Sequence, residues 1–366
     1  MRVTIVYLVN KLRNSGPVRV MLDIIRHLDR QQFTPVIITL TGEDKSRSIK
    51  DRFVSLGVEV VALDYNYWQL EFLPCRIAKH IESICRDYPN VVYHSHSYQA
   101  NNILAHIKSH SAVSTIHCIS GEDYLMNYGA LQGRYMSWRY RSALRRIAHP
   151  VAISDYMTAY YSPINGLQTI VNGVERYIAT PKSQNEYKRA LGCEGKFVIL
   201  VSGGFNKRKN QQLIIDELKA LDCDFVCIFI GKGDTLQQCT DSAAGDSRFR
   251  FDGYVFNVGE YLSAADVVVS ASYSEGMPLA VLESLTMGCP VLLSNIPPHI
   301  EICNRMEAEG VQIFDISTPG SLAAAVKVAM QQECDREVIA NRSYEIYSAK
   351  GMSENYQRLY LECVNK

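Results

Sequence analysis

The chain has 366 residues, 38 Lys/Arg against 38 Asp/Glu, 47% hydrophobic and 21% charged residues, enough for two domains of ordinary size with separate cores. No apolar run approaches the ~20 residues of a membrane helix, and eleven cysteines, an odd number without CxxC spacing, read as reduced thiols rather than a disulfide frame or a metal site. The zero net charge hides an asymmetry. Residues 1–176 hold 20 Lys/Arg against 14 Asp/Glu and residues 177–366 hold 18 against 24, so the basic first half suits an anionic partner such as a membrane surface or a lipid diphosphate.

Met1-Arg2 leads directly into an apolar strand at 3–9, which reads as a cytoplasmic start without a signal peptide. Asn14-Ser15-Gly16-Pro17 follows, then an amphipathic helix through Val20, Leu22, Ile24, Ile25 and Leu28. Gly16 lets the backbone approach a ligand and Pro17 starts the helix, but there is no GxGxxG, so no nicotinamide or flavin is indicated. Strands at about 34–40, 58–63, 90–94 and 113–117 alternate with helices at about 47–56, 72–86 and 98–109. That rhythm predicts an open parallel sheet covered on both faces, with ligands at the carboxyl ends of its strands.

His94, His96 and His117 fall at such strand ends. His94 and His96 share a strand face and could take a metal, yet no cysteine or carboxylate triplet at ligand spacing supports one, so no metal site is expected. Glu122 and Asp123, in the loop after His117, either face acceptor hydroxyls or are solvated. Residues 124–149 then carry Arg134, Arg139, Arg141, Arg145 and Arg146 among Tyr128, Tyr135, Trp138 and Tyr140. A basic, aromatic helix suits a membrane surface or lipid phosphate; the alternative is a helix packed on the sheet with its arginines in solvent. No recognised nucleic-acid module accompanies it, so nucleic acid is not expected as a partner. A short strand at 151–154 and the stretch 169–174 close the half, and the polar run at 179–186 reads as a linker.

A second α/β sheet opens with the strand 196–202. Gly203-Gly204-Phe205-Asn206-Lys207-Arg208-Lys209-Asn210 follows, and a helix starts at Gln211. Glycines for backbone approach and three cations near a helix start are what a diphosphate needs. After the strand 224–230 come Gly231-Lys232-Gly233-Asp234, then Gly253-Tyr254-Val255 ahead of another amphipathic helix. The strand 265–270 feeds a loop ending in Glu275-Gly276-Met277-Pro278, a helix over 279–287 stopped by Gly288, and a strand at 290–294. Pro278 suits the first helical turn, whose free amides and dipole make an anion site. Glu275 and Glu283 frame it as acceptors for hydroxyl groups, which suits a phosphorylated sugar; the alternative is two solvated surface charges.

The stretch SEGMPLAVLESLTMGCPV, with Glu275 and Glu283 eight residues apart, and the Pro297-Pro298-His299-Ile300-Glu301 that follows resemble the retaining glycosyltransferases of family 4, which have the GT-B fold. The resemblance is tight over about 196–302 and collinear over 1–176. It implies that Glu275 lies by the donor sugar's hydroxyls, that Glu283 holds the nucleotide ribose, and that the backbone from Gly276 through Met277 and Pro278 to Leu279 takes phosphate charge. It places Lys209 and Asn210 at the family's Lys-Asn pair, where the cation neutralises the departing diphosphate. The arginine that precedes the pair in the family is Gly204 here, next to Gly203, leaving Lys207 or Arg208 to compensate. Gly16 would lie near the donor's phosphates, and Tyr254 and Val255 would receive the base. His117 resembles the strand-end histidine beside the donor sugar, where a neutral imidazole hydrogen-bonds a hydroxyl; a purely structural histidine is the alternative. His96, Glu122 and Asp123 are the acceptor-side candidates.

The expected architecture is therefore α/β, two doubly wound Rossmann-like domains facing a cleft, with the C-terminal helix returning to the first domain. The boundaries are an acceptor domain at 1–176, a linker at 177–192, a nucleotide-sugar domain at 193–346 and the crossover helix at 347–366. The expected activity is transfer of a hexosyl or N-acetylhexosaminyl group from a nucleotide sugar, a UDP-sugar first, to a lipid-linked glycan in surface polysaccharide assembly. Retention and metal independence are part of that expectation, as is peripheral contact with the inner membrane through 124–149. A nucleotide-sugar epimerase of the same fold and a catalytically silent binding protein are the alternatives.

Overall fold

The computed structural model describes residues 2–43, 48–177 and 182–365. The chain divides into two units, one formed by Met1–Gly173 with Ala349–Lys366 and the other by Val174–Ser348. Each is built on a parallel sheet.

In the first unit the strands are β1 (Val3–Val9), β2 (Phe33–Thr39), β3 (Glu59–Ala62), β4 (Val91–Ser95), β5 (Ala112–Ile116), β6 (His149–Ala152) and β7 (Gln168–Thr169). Their order is β3-β2-β1-β4-β5-β6-β7. All seven residues of β1 are buried, as a central strand covered on both faces requires, and this is why it reads as an unbroken apolar run. Tyr7 of β1 lies opposite Ile37 on one side and His94 on the other. The order reverses between β1 and β4, so the loops beyond those two strands diverge and leave a crevice.

The second unit holds β8 (Phe197–Ser202), β9 (Phe225–Ile230), β10 (Phe249–Gly253), β11 (Val267–Ser270), β12 (Val291–Ser294) and β13 (Val311–Phe314), in the order β10-β9-β8-β11-β12-β13. Here the reversal falls between β8 and β11. The loops that leave these two strands are 203–210 and 271–278, the stretches that carry the cations and Glu275. Phe205 anchors the first of these loops. It is 2% exposed, and its ring lies 6.0 Å from Phe229 and 6.2 Å from Phe251. Burial of that ring contributes about 1.5–3 kcal/mol.

Four expectations need correction. The stretch 124–149 is not one helix: Gly129, at φ 76°, separates Ser120–Tyr128 from Ala130–Leu144, and His149 begins β6. Pro278 caps the helix Leu279–Thr286 from outside rather than sitting in its first turn. Residues 72–86 break at Leu73-Pro74 into Tyr67–Phe72 and Pro74–Ile84. The expected linker at 177–192 carries a helix, Gln184–Ala190, started by a capping box between Ser183 and Glu186; residues 178–181 lie outside the described residues. Lys188 ties that helix to Asp266 at 2.6 Å.

The final helix, Ala349–Val364, belongs to the first unit, as expected. The Ser353 hydroxyl donates to the Ile24 carbonyl at 2.8 Å, and Tyr356 and Tyr360 reach Thr115 (2.7 Å) and His94 (2.7 Å). Among the described residues no helix is long and apolar enough to cross a membrane.

Candidate active site

In the second unit the site is built on the Glu275 carboxylate, which is 6% exposed. Its Oε1 lies 2.5 Å from Lys209 Nζ and accepts the Ser272 hydroxyl at 2.8 Å; its Oε2 accepts from Arg208 Nη1 at 2.7 Å. Burial alone would raise its pKa, but Lys209 and Arg208 outweigh that and hold the carboxyl well below the usual range. Arg208 also donates to the Ser274 carbonyl. One carboxylate thus pins two cations beside the N-terminus of the helix Leu279–Thr286, whose first amides add positive potential.

Local backbone chemistry places those cations. Lys207–Lys209 is a single 3₁₀ turn, capped by the Asn206 side chain accepting from the Lys209 amide at 3.2 Å. Asn210 ends the turn in the left-handed region (φ 52°, ψ 40°), which asparagine tolerates, and redirects the chain into the helix Gln211–Lys219. Gly231 and Gly233 are forced by contact: a Cβ there would meet the Gly203 carbonyl oxygen at 1.9 Å and the Phe205 carbonyl oxygen at 2.0 Å. They let the turn after β9 lie directly against the cation loop. Gly204 is exposed, and a Cβ would find nothing nearer than 3.7 Å. Lys207 is exposed, whereas Arg208 turns inward to Glu275.

Glu283 is 4% exposed, and the Tyr177 hydroxyl donates to its Oε1 at 3.3 Å. Gly276 to Leu279 form the backbone of the anion turn. Tyr254 and Val255 follow β10. Tyr254 is exposed beside Phe256, with ring centroids 5.2 Å apart.

Ser272, Tyr177 and His299 are three residues that sequence reasoning did not single out. His299 is fully buried, with Nδ1 2.9 Å from the Ser294 hydroxyl and 3.1 Å from the Ser294 carbonyl. The Ser294 hydroxyl donates to the Ser272 carbonyl at 2.7 Å, so His299 Nδ1 carries the proton and Nε2 is a bare acceptor without a partner among the described residues. Burial pushes its pKa down to about 4 although Glu275 opposes the shift. These groups lie far apart in sequence, and only the PPHIE run hinted at His299.

In the first unit a cavity of about 860 Å³ opens beyond β1, β4 and β5, lined among others by Asn10, Ser15, His96, Tyr98, His117 and Cys118. Gly16 is exposed at the start of the helix Gly16–Arg26, next to the lining residues Ser15 and Pro17. His96 Nδ1 and His117 Nε2 are 3.0 Å apart. Burial pushes His117 down to about 3 and holds His96 well below its ordinary value, so the pair is neutral. Among the described residues His96 Nε2 is buried without a partner. His94, one pleat away on the same face, has both nitrogens engaged, by Tyr360 at 2.7 Å and Thr115 at 2.8 Å, and serves the core. Among the described residues no three His, Cys, Asp or Glu side chains gather to hold a metal ion.

Glu122 and Asp123 lie on the helix Ser120–Tyr128 rather than in a loop. Asp123 accepts from the Ile119 amide at 3.0 Å and Glu122 hydrogen-bonds Tyr156, and neither lines the cavity.

Two family models match: "Glycosyl transferase 4-like domain" over residues 15–169 and "Glycosyl transferases group 1" over 168–346. The O-antigen biosynthesis glycosyltransferase WclY of Escherichia coli is 24% identical over 258 residues, 68% of this chain and 71% of that protein. The E. coli UDP-Gal:alpha-D-GlcNAc-diphosphoundecaprenol alpha-1,3-galactosyltransferase is 28% identical over 149 residues, 37% of this chain and 38% of that protein. HepE (Alr3699) of Anabaena, solved with UDP-glucose, superposes with a TM-score of 0.80 at 14% identity, covering 97% of this chain and 98% of that one. With the two models together running from residue 15 to residue 346 and each unit built on its own parallel sheet, the chain belongs to the family 4-like glycosyltransferases of the GT-B fold.

Proposed function

We propose that the protein moves a hexosyl or N-acetylhexosaminyl group from a UDP-sugar to a lipid-linked glycan, with retention of configuration, in the assembly of a surface polysaccharide. The observation that carries this reading is the Glu275 clamp on Lys209 and Arg208 at the start of Leu279–Thr286. A leaving diphosphate needs fixed positive charge, and here two cations and a helix start supply it without reorganisation. The reading therefore requires no metal. Glu275 keeps one oxygen edge for sugar hydroxyls, the bare Nε2 of His299 accepts another, and Glu283 exchanges the Tyr177 hydroxyl for the ribose. Gly203, Gly204 and Asn210 let the diphosphate approach the backbone, while Tyr254 and Val255 receive the base. The neutral His96–His117 pair offers the acceptor uncharged hydrogen-bonding nitrogens. The relatives whose names specify O-antigen assembly and a diphosphoundecaprenol acceptor support the substrate class, as does a similar fold that holds UDP-glucose.

The test is a thermal-shift panel of UDP-, GDP- and ADP-sugars with and without EDTA, followed by transfer assays on lipid-diphosphate acceptors. Stabilisation by one UDP-sugar, unchanged by EDTA, supports the reading. No shift with any nucleotide sugar overturns it.

A further inference from the structure

A single hydrogen bond does not orient His96. Its Nδ1 meets His117 Nε2 at 3.0 Å, and among the described residues its buried Nε2 has no partner. An imidazole bonded at one nitrogen can still swing about its broad second side-chain torsion, so packing must fix the ring. Its neighbours are other rings. His94 packs against it with centroids 4.1 Å apart, and Tyr7 lies 6.0 Å away. Whatever fixes His94 therefore fixes His96, and through it His117.

His94 is held at both nitrogens. Nδ1 meets the Tyr360 hydroxyl at 2.7 Å and Nε2 the Thr115 hydroxyl at 2.8 Å. Thr115 in turn meets the Tyr356 hydroxyl at 2.7 Å, and Tyr360 meets Tyr7 at 3.2 Å. The five side chains form one unbroken run of hydrogen bonds, and all are buried. Tyr356 and Tyr360 come from one face of Ala349–Val364, a turn apart. Packing alone would not ask for their hydroxyls, since phenylalanine fills the same space with no polar atom to satisfy. A buried network in which every member has a partner instead selects one arrangement of its rings. Thr115 also lines the cavity, with His96 and His117, so the network reaches the cavity wall.

We propose that Tyr356 and Tyr360 are positioning residues for the acceptor: acting through His94, they hold His96 and His117 in the orientation that meets its hydroxyls. The proposal rests on the reading of this cavity as the acceptor side, and its first readout needs no acceptor. The histidine imidazoles of the full chain are compared by nitrogen NMR in wild type, Tyr360→Phe and Tyr356→Phe, with Tyr347→Phe as the control. Tyr347 is buried in the second unit, and its hydroxyl has no partner among the described residues. Tyr360→Phe should move the signals of His96 and His117 as well as those of His94, toward the averaged values of exchanging tautomers, at unchanged circular dichroism. In transfer assays on a lipid-diphosphate acceptor its KM for the acceptor should rise about fivefold, as loss of one hydrogen bond allows, while KM for the UDP-sugar stays put. Tyr356→Phe acts one bond further away and should do the same more weakly; Tyr347→Phe should do neither. His96 and His117 signals that keep their wild-type positions in Tyr360→Phe would overturn the proposal whether or not the protein transfers sugar. Donor and acceptor KM rising together would overturn it too, because that marks a merely structural role. Moved signals in a chain whose wild type transfers nothing would support the coupling and overturn the acceptor reading alone.

Discussion

Lys209 Nζ sits 2.5 Å from Glu275 Oε1, on the same oxygen that accepts the Ser272 hydroxyl. The cation is therefore fixed before any diphosphate arrives, and its counter-charge is buried with it. Removing either partner of such a pair leaves an uncompensated charge.

Lys209→Ala and Glu275→Gln should each lower kcat by roughly 10²–10³-fold, the range for loss of one preorganised electrostatic group. Glu275→Gln should keep nucleotide affinity, because Arg208 and Lys209 then face the diphosphate unopposed. Steady-state kinetics beside UDP titration calorimetry check this; full transfer by Glu275→Gln would refute the assignment.

Gly204 is exposed, with room for a side chain. Gly204→Arg restores the cation of the resembled pattern and should leave stability within about 0.5 kcal/mol. UDP should bind about tenfold more tightly, as one hydrogen bond to a charged group allows. An unchanged UDP affinity would show that Arg208 already fills the role.

His117 titrates near 6.5 when unfolded and near 3 when folded. Between these values the unfolded chain binds a proton that the native state refuses. Stability should thus be constant above the upper value and fall by up to about 1.4 kcal/mol per pH unit below it from this group. Buried His94, His96 and His299 act in the same direction. Urea unfolding of wild type and His117→Asn at pH 7 and pH 5 should show a shallower acid loss in the variant.

The bare Nε2 of His299 should matter for the sugar and not for the nucleotide. His299→Phe is expected to raise KM for the UDP-sugar while the inhibition constant of UDP stays put; equal changes in both would make the residue structural.

Much of this was legible because buried parallel strands advertise themselves as apolar runs: β2, β4 and β5 fall within a residue of the ranges read from the sequence. The cation loop and the Glu275 turn were legible too, since glycines, a proline and charges punctuate them at fixed spacing. Long-range pairing was not. His94 and His96 look alike in sequence, and only Tyr360, 266 residues from His94, separates a core histidine from a cavity one. The Ser272–Ser294–His299 relay likewise joins the loop after β11, the end of β12 and the helix Pro297–Arg305. The helix Gln184–Ala190 was readable from Ser183 and Glu186, but the polar composition around it masked the capping signal.

The helix Ala349–Val364 also orders events during synthesis. Tyr356 and Tyr360 satisfy Thr115 and His94 in the first unit's core, yet the ribosome makes them only after all of Val174–Ser348. The nascent first unit must therefore wait, with His94 and Thr115 holding each other but each short of its tyrosine partner beside an uncovered apolar face, while the second unit is translated and free to fold. Chaperone attachment to the growing chain should concentrate on that waiting face and end as the closing helix emerges.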